Sequence, residues 1–294
     1  MSKWSATMPA NIALIKYMGK QPGQIPSNAS LSVTVPRLTS TVTLAEAQQD
    51  HWKPTHWSLS AQNRFLSHLN YLKSTTQTHR CFSIQSENNF PDTCGLASSA
   101  SSFAALTHAF FLAVAPETPL PIQASHSRMG SGSSCRSFFA PLVSWTGTEV
   151  QRIPNNHSWH HNVIIINASE KKIPSSEAHQ RVMSSPTFKG RAQRAEARMQ
   201  TLLIALAEDD WQQAYHLCWD EFQDMHHLFH SAEPPFKYIE KATERALSEL
   251  QTFWQSTGTG PIITLDAGPN IHLFFKDIDT QKQCLKQLSN HTIL

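Results

Sequence analysis

NNFPDTCGLASSASSFAAL, residues 88–106, changes character halfway along. Two Asn, a Pro and an Asp make a turn, one Gly follows, and then Ala, Ser, Leu and Phe suit a helix that runs to about Val114. Two readings compete. In one, this is a capped helix with small residues on its packing face. In the other, the loop holds a phosphate at the helix start, where unpaired N–H groups and the helix dipole favour an anion. Gly95 would then make the turn, and Ser98 and Ser99 would add hydroxyl donors. No G-x-x-x-x-G-K-[ST] string occurs anywhere, so this is not a Walker A loop.

The flanking chain supplies the frame. CFSIQSEN before the loop reads as a strand, as does ANIALIKY at 10–17, followed by a turn-rich GKQPGQIPSN. Residues 29–45 alternate apolar and polar with period 2, as a half-buried strand does. Residues 61–73 put Phe65, Leu66, Leu69 and Leu72 at helical spacing. Beyond the Pro-rich 115–121, a short helix leads into SRMGSGSSCRS, a second small-residue turn. The polar stretch 146–161 marks a boundary, which divides the chain into 1–158 and 159–294. In the second part, NVIIIN is a strand, and 189–209, 210–231 and about 237–256 are helices. PIITLDAG and IHLFF are two strands joined by a tight GPN turn. Strands interleaved with helices in both parts give a two-lobed α+β class.

Composition narrows the function. The 294 residues carry a formal net charge of +2, which provides no strong field for nucleic acid or membrane. No run approaches the roughly 18–20 apolar residues of a membrane helix, and the N-terminus lacks a signal-peptide core. Five cysteines form no C-x-x-C pair and read as reduced thiols of a cytoplasmic protein. Glycine is scarce, at 10 residues. Gly19, Gly95, Gly130, Gly132 and Gly268 fall in the segments 9–20, 88–106, 127–137 and 263–270, where a left-handed turn or a close ligand approach is expected.

Those segments hold the chemistry. NIALIKYMGK offers Lys16, Tyr17 and Lys20, able to clamp a polyanion or simply to sit at a surface. SRMGSGSSCRS offers Ser131, Gly132 and Ser133 with Arg128 and Arg136, and Arg suits bidentate binding of carboxylate or phosphate. Its spacing is not that of a G-x-S-x-G nucleophile elbow. ITLDAGPN puts Asp266 at a strand end, either as a turn former or as a buried functional carboxylate. His226 and His230 stand i, i+4 without the Glu of H-E-x-x-H, so no metal site is assigned. Together these are the parts of phosphoryl transfer with a general base.

With these residues assembled, the chain resembles the diphosphomevalonate decarboxylases of the GHMP kinase superfamily. The resemblance is carried by PANIALIKYMGK, PSNASLSVT, SENNFPDTCGLASSASSFAAL, SRMGSGSSCRS and LDAGPN, in family order. It implies a two-lobed GHMP-kinase fold, with an N-terminal lobe like ribosomal protein S5 domain 2 and a ferredoxin-like C-terminal lobe. It implies ATP-dependent decarboxylation of mevalonate 5-diphosphate to isopentenyl diphosphate, CO2, ADP and phosphate through a 3-phosphorylated intermediate, with Mg2+ bridging the ATP phosphates, in a homodimer. By the same resemblance Asp266, Lys16 and Arg136 are catalytic. Tyr17, Lys20, Ser131, Gly132, Ser133 and one of Ser175 and Ser176 bind substrate. Gly95, Ser98 and Ser99 bind the ATP phosphates, and His226 matches a family His of uncertain role. The chain departs from the family pattern at Met18, where the family has Trp, at Ala178 and His179, and at Asp92 and Cys94. The alternatives are decarboxylation of mevalonate 5-phosphate, a 3-kinase that stops before CO2 loss, and a non-catalytic metabolite-binding relative.

Overall fold

The computed structural model describes residues 2–53, 57–90, 98–169 and 173–294. Gly95, Asp92 and Cys94 lie outside the described residues. The first part runs β1 (Lys3–Ile15), β2 (Lys20–Gln21), β3 (Ile25–Pro26), β4 (Ser30–Ala47), β5 (His51–Trp52), α1 (Leu59–Thr76), β6 (Cys81–Asn88), α2 (Ser98–Val114), α3 (Leu120–Gly130), a 3-10 helix (Gly132–Phe138), β7 (Leu142–Thr146) and β8 (Glu149–Ile153). The second runs β9 (His160–Ile165), α4 (Ser175–Arg181), α5 (Arg191–Ala207), α6 (Trp211–Ser231), α7 (Lys241–Thr257), β10 (Ile262–Thr264), β11 (Ile271–Phe275), α8 (Ile278–Gln287) and β12 (Thr292–Ile293).

One sheet has the order β5-β6-β4-β7-β8, with β1 antiparallel along β4; a second has the order β10-β11-β9-β12, and β2 pairs with β3 in a two-stranded sheet. The 29–45 alternation belongs to a single long strand, β4. Its Pro36 is accommodated because the β1 register jumps from Pro9↔Thr39 to Ala10↔Val35. The residues skipped include Pro36 and Arg37, both exposed, so no ladder bond is asked of the missing N–H. Burial alternates over residues 38–44 but not over 30–35, which like 10–15 is buried on both faces. α2 covers one side of these strands, and α5 and α6 cover the other.

The polar stretch 146–161 is not only a turn. Gly147, at φ +58, closes a hairpin in which β8 pairs with β7 from Leu142↔Ile153 to Thr146↔Glu149. β8 is an edge strand with no buried residue, so it needs no apolar alternation and gave no strand signal. SRMGSGSSCRS is likewise a helix end followed by a 3-10 helix rather than a loose turn. At the C-terminus α8 and β12 went unread: α8 buries only Cys284, and β12 is two residues long.

The largest core joins the two parts. Ile12, Leu14, Leu31 and Val33 of β1 and β4 pack in one cluster with Leu202 of α5, Phe222 of α6, Leu250 of α7 and Phe274 of β11. A second core lies between β4, β6, α1 and α2. A third, smaller core collects Met18, Ala178, Val182, Met225, Phe229, Phe236, Tyr238 and Ala267.

Candidate active site

β1 ends at Ile15, and the next residue, Lys16, leaves the ladder with its side chain only 2% exposed. Its Nζ donates to Asp266 Oδ1 at 2.6 Å, across 250 residues of sequence. β10 brings the carboxylate there, because Thr264 Oγ1 donates to the Ala13 carbonyl at 3.1 Å and docks β10 beside the end of β1. Burial acts to raise the Asp266 carboxyl, but Lys16, His272 and Arg136 outweigh it and leave it below the usual carboxylate range. Burial pulls the Lys16 ammonium down, against the opposing pull of Asp266 and Glu221. An ionised carboxylate thus faces an ammonium at the end of a strand.

Arg136 lies on the same side. It is 3% exposed, and its Nη1 donates to Ser30 Oγ at 2.8 Å. The guanidinium sits 5.6 Å from the Tyr17 ring centroid and 5.9 Å from that of Trp145. Its Nε is buried without a hydrogen-bond partner, so this arginine keeps donor capacity for an anion such as a carboxylate. Tyr17 is packed edge-on against Trp145 at 4.8 Å and stacked on His179 at 4.7 Å. Gly132 makes room for it: a Cβ there would stand 2.9 Å from the Tyr17 hydroxyl. The close approach at this glycine is therefore to a side chain of the protein. Of the other glycines singled out, Gly19 has left-handed backbone at φ +80, whereas Gly130 does not.

The two small-residue segments meet. Ser131 Oγ donates to Ser99 Oγ at 3.4 Å and lies 3.4 Å from Ser133 Oγ, so the start of α2 and the turn after α3 share one surface. Ser98 opens α2, and its carbonyl accepts from Ser102 Oγ at 2.6 Å. Lys20, on the short β2–β3 hairpin, is brought down to about 8 by burial and by the nearby Arg64 guanidinium. Arg64, on α1, reaches the Gly130 carbonyl with Nη2 at 3.5 Å and lies over the Phe103 ring at 5.2 Å. Neither Lys20 nor Arg64 has a carboxylate partner among the described residues. Two cations close enough to depress Lys20, with no carboxylate partner among the described residues, are suited to a polyanion. A cavity of about 730 Å³ lined by Asn63, Arg64, Ser67, Met129 and Gly130 opens beside Arg64.

Of the serine pair on α4, Ser175 shares a helix face with buried Ala178 and His179, whereas Ser176 is exposed. His179 is held neutral, at about 3, by burial and then by Lys20. His226 is 1% exposed, and burial followed by the charge of Lys16 takes it to about 3, against the opposing pull of the Asp266 backbone and carboxylate. Met18 belongs to the third core, which also holds the Ala267 that follows Asp266. An unbranched thioether can fill such a space in place of an indole.

Sequence reasoning missed Arg64, Asn28 and Glu221. Asn28 accepts from the Met18 N–H at 3.1 Å and donates to the Lys16 carbonyl at 2.9 Å, which clamps the segment carrying Lys16 and Tyr17. It stands in PSNASLSVT, where its polarity between strand and turn was the available signal. Arg64 had only its place on a helix, with no pattern to distinguish it from a surface cation. Among the described residues, no group of three or more His, Cys, Asp or Glu is arranged to hold a metal ion, and no helix is long and apolar enough to cross a membrane.

Known proteins share this sequence pattern and shape. Residues 8–159 match the family described as Diphosphomevalonate decarboxylase-like N-terminal domain, and residues 162–292 match Mevalonate 5-diphosphate decarboxylase C-terminal domain. The chain is 30% identical to the diphosphomevalonate decarboxylase of Eremothecium gossypii, over 95% of this chain and 79% of that one. It superposes on the crystal structure of a mevalonate diphosphate decarboxylase from Legionella pneumophila with a TM-score of 0.93 and 42% identity, covering 100% of both chains. It also matches MDDEF in complex with MVAPP, AMPPCP and magnesium, with a TM-score of 0.89 and 25% identity over 99% of this chain and 96% of that one. By these matches to both parts of its sequence, the chain belongs to the diphosphomevalonate decarboxylase family.

Proposed function

We propose that this protein decarboxylates mevalonate 5-diphosphate with ATP, giving isopentenyl diphosphate, CO2, ADP and phosphate through a 3-phosphorylated intermediate, as a step of isoprenoid biosynthesis. The observation that carries the reading is the 2.6 Å contact of Lys16 Nζ with Asp266 Oδ1 beside the buried Arg136 guanidinium.

Asp266, ionised at neutral pH, orients the substrate's tertiary hydroxyl and accepts its proton as the oxygen takes the γ-phosphoryl group. Lys16 stabilises the negative charge that develops on that oxygen. Phosphate is a better leaving group than hydroxide. As its bond to C3 breaks, the electrons of the bond between C2 and the carboxylate form the new double bond, and CO2 departs. Arg136 binds the carboxylate and keeps it aligned. Tyr17, Lys20, Ser131, Gly132, Ser133, Ser175 and Arg64 hold the diphosphate end. Ser175 is preferred to Ser176 because it shares the helix face of His179, which stacks on Tyr17. Gly95, Ser98 and Ser99 bind the ATP phosphates at the start of α2. Mg2+ when bound would neutralise phosphate charge, and the Ser99 and Ser131 hydroxyls are the side-chain oxygens that could help to hold it; among the described residues no group of three or more His, Cys, Asp or Glu is arranged to do so.

The division into a lobe over 1–158 and a lobe over 159–294 is supported by the family matches that end at 159 and begin at 162. A homodimer follows from the resemblance, and sedimentation would test it. A cytoplasmic location is supported by the free Cys81, Cys135, Cys218 and Cys284.

The test is purified protein with Mg-ATP and either mevalonate 5-diphosphate or 5-phosphate, with CO2 and ADP measured separately. CO2 and ADP in equal amounts from the diphosphate are expected. ADP without CO2 would make the protein a kinase, and no turnover on either would leave a binding relative. Asp266→Asn should abolish turnover while ATP-analogue binding survives.

A further inference from the structure

Lys16 is held by more than its partner Asp266. Because β1 has ended, the Lys16 main chain must find partners outside the ladder. Its N–H donates to Glu221 Oε1 at 2.9 Å, and its carbonyl accepts from Arg191 Nη2 at 2.8 Å. Glu221, on α6, is 0% exposed, and Arg191, at the start of α5, is 1% exposed. The two are themselves joined: Arg191 Nη1 donates to Glu221 Oε2 at 3.0 Å and to Asp224 Oδ2 at 2.9 Å. Arg198 bridges the same two carboxylates at 3.0 and 2.7 Å, and Arg194 pairs with Asp224 at 2.9 Å.

Three arginines and two carboxylates are a poor way to gain stability, because desolvating buried charges offsets much of their attraction. What such a network does provide is a fixed register between two helices and the strand end they grip. We infer that Glu221, backed by Arg191, is the positioning residue of Lys16: it fixes the lysine's main chain and supplies a second negative charge behind its ammonium. The inference rests on the reading of Lys16 and Asp266 as the reacting pair.

The charged and titratable groups facing Lys16 are few. Asp266 approaches from the loop after β10, and Glu221, Cys218 and His226 approach from α6, while Arg191 of α5 meets its carbonyl. Arg136 and His272 face Asp266. Among the described residues, Asp266 and Glu221 are the carboxylates that face Lys16. Burial drives the ammonium toward losing its proton, and Glu221 is the opposing carboxylate that the chemistry does not consume.

Two substitutions separate the halves of the inference. Glu221→Gln keeps an oxygen for the Lys16 N–H and removes the charge. The alkaline limb of the kcat profile should move to lower pH, with kcat at neutral pH falling about tenfold and KM for mevalonate 5-diphosphate changing little. Glu221→Asp keeps the charge and shortens the reach. The alkaline limb should stay in place while kcat falls about tenfold to a hundredfold from misplacement. A folded Gln variant with a wild-type limb, or a folded Asp variant with wild-type kcat, overturns the inference, and either alone suffices if the other does not fold. Lys16→Met separates the levels: if it turns over normally, the reading of the reacting pair falls and takes the inference with it. If it is dead while both Glu221 variants behave as wild type, only the inference falls.

Discussion

Lys20 and Arg64 show how much of a site's chemistry rests on what single side chains lack. Each cation stands without a carboxylate among the described residues, and burial with mutual repulsion puts Lys20 at about 8. Above that pH Lys20 loses its charge and with it the pull on a phosphate. KM for mevalonate 5-diphosphate should therefore rise between about pH 7 and 9, and Lys20→Met should raise KM at pH 7 and flatten the dependence. Steady-state kinetics over that range checks it; a flat wild-type profile would remove Lys20 from the diphosphate contacts. Lys20 stood out in the sequence because it sits four residues from Lys16 around a tyrosine. Arg64 did not, because a cation on an amphipathic helix looks the same whether it faces water or a ligand.

Helices and strands succeed or fail by how their backbone meets its neighbours. Gly19 has φ +80, and a Cβ on it would stand 2.7 Å from Phe188 Cζ and 2.8 Å from Ser27 Oγ. Gly19→Ala should cost about 1–3 kcal/mol in a urea denaturation. Gly132→Ala should do something different: its Cβ meets the Tyr17 hydroxyl at 2.9 Å, so the ring that lies beside Arg136 must shift. KM for substrate should rise about tenfold with a smaller change in stability, read by kinetics alongside a thermal melt. The elements themselves were legible where burial is one-sided. α1, α5 and α6 carry apolar stripes, and CFSIQSEN is the observed extent of β6. β8 and α8 were not legible, because elements that bury little carry little periodic signal.

Across the molecule, the cores hold several imidazoles neutral. His68, His179 and His226 are each lowered by burial to about 3, and His161 lies well below the usual imidazole value. Unfolded, such groups take up a proton near pH 6.5. Between about 6.5 and 3 the unfolded chain thus binds more protons, so stability is present above that window and is lost as pH falls through it. The melting temperature should drop between about pH 7 and 5. That is before carboxylates such as Asp224, held at about 2 by three arginines against burial, lose their contribution. Differential scanning calorimetry across pH tests this, and His68→Gln, which can still reach Thr107, should flatten the slope. A melting temperature constant from pH 7 to 5 would contradict the burial of these rings.

The resemblance motifs, the strand and helix run through the middle of the chain, and the inventory of Lys16, Arg136, Ser131 and Asp266 are local patterns, and a local pattern survives in a one-dimensional string. NNFPDTCGLASSASSFAAL already contained its helix, α2. What no string contains is which ends meet. Asp266 reaches Lys16 because Thr264 docks β10 against β1; Ser99 reaches Ser131 because α2 packs on the 3-10 helix; and Glu221 reaches the Lys16 N–H because α6 lies under the strand end. Each of these is a contact between distant segments, set by how buried faces of different elements fit together. Periodicity within one element carries no information about its partner, so those contacts became visible only once the chain was folded.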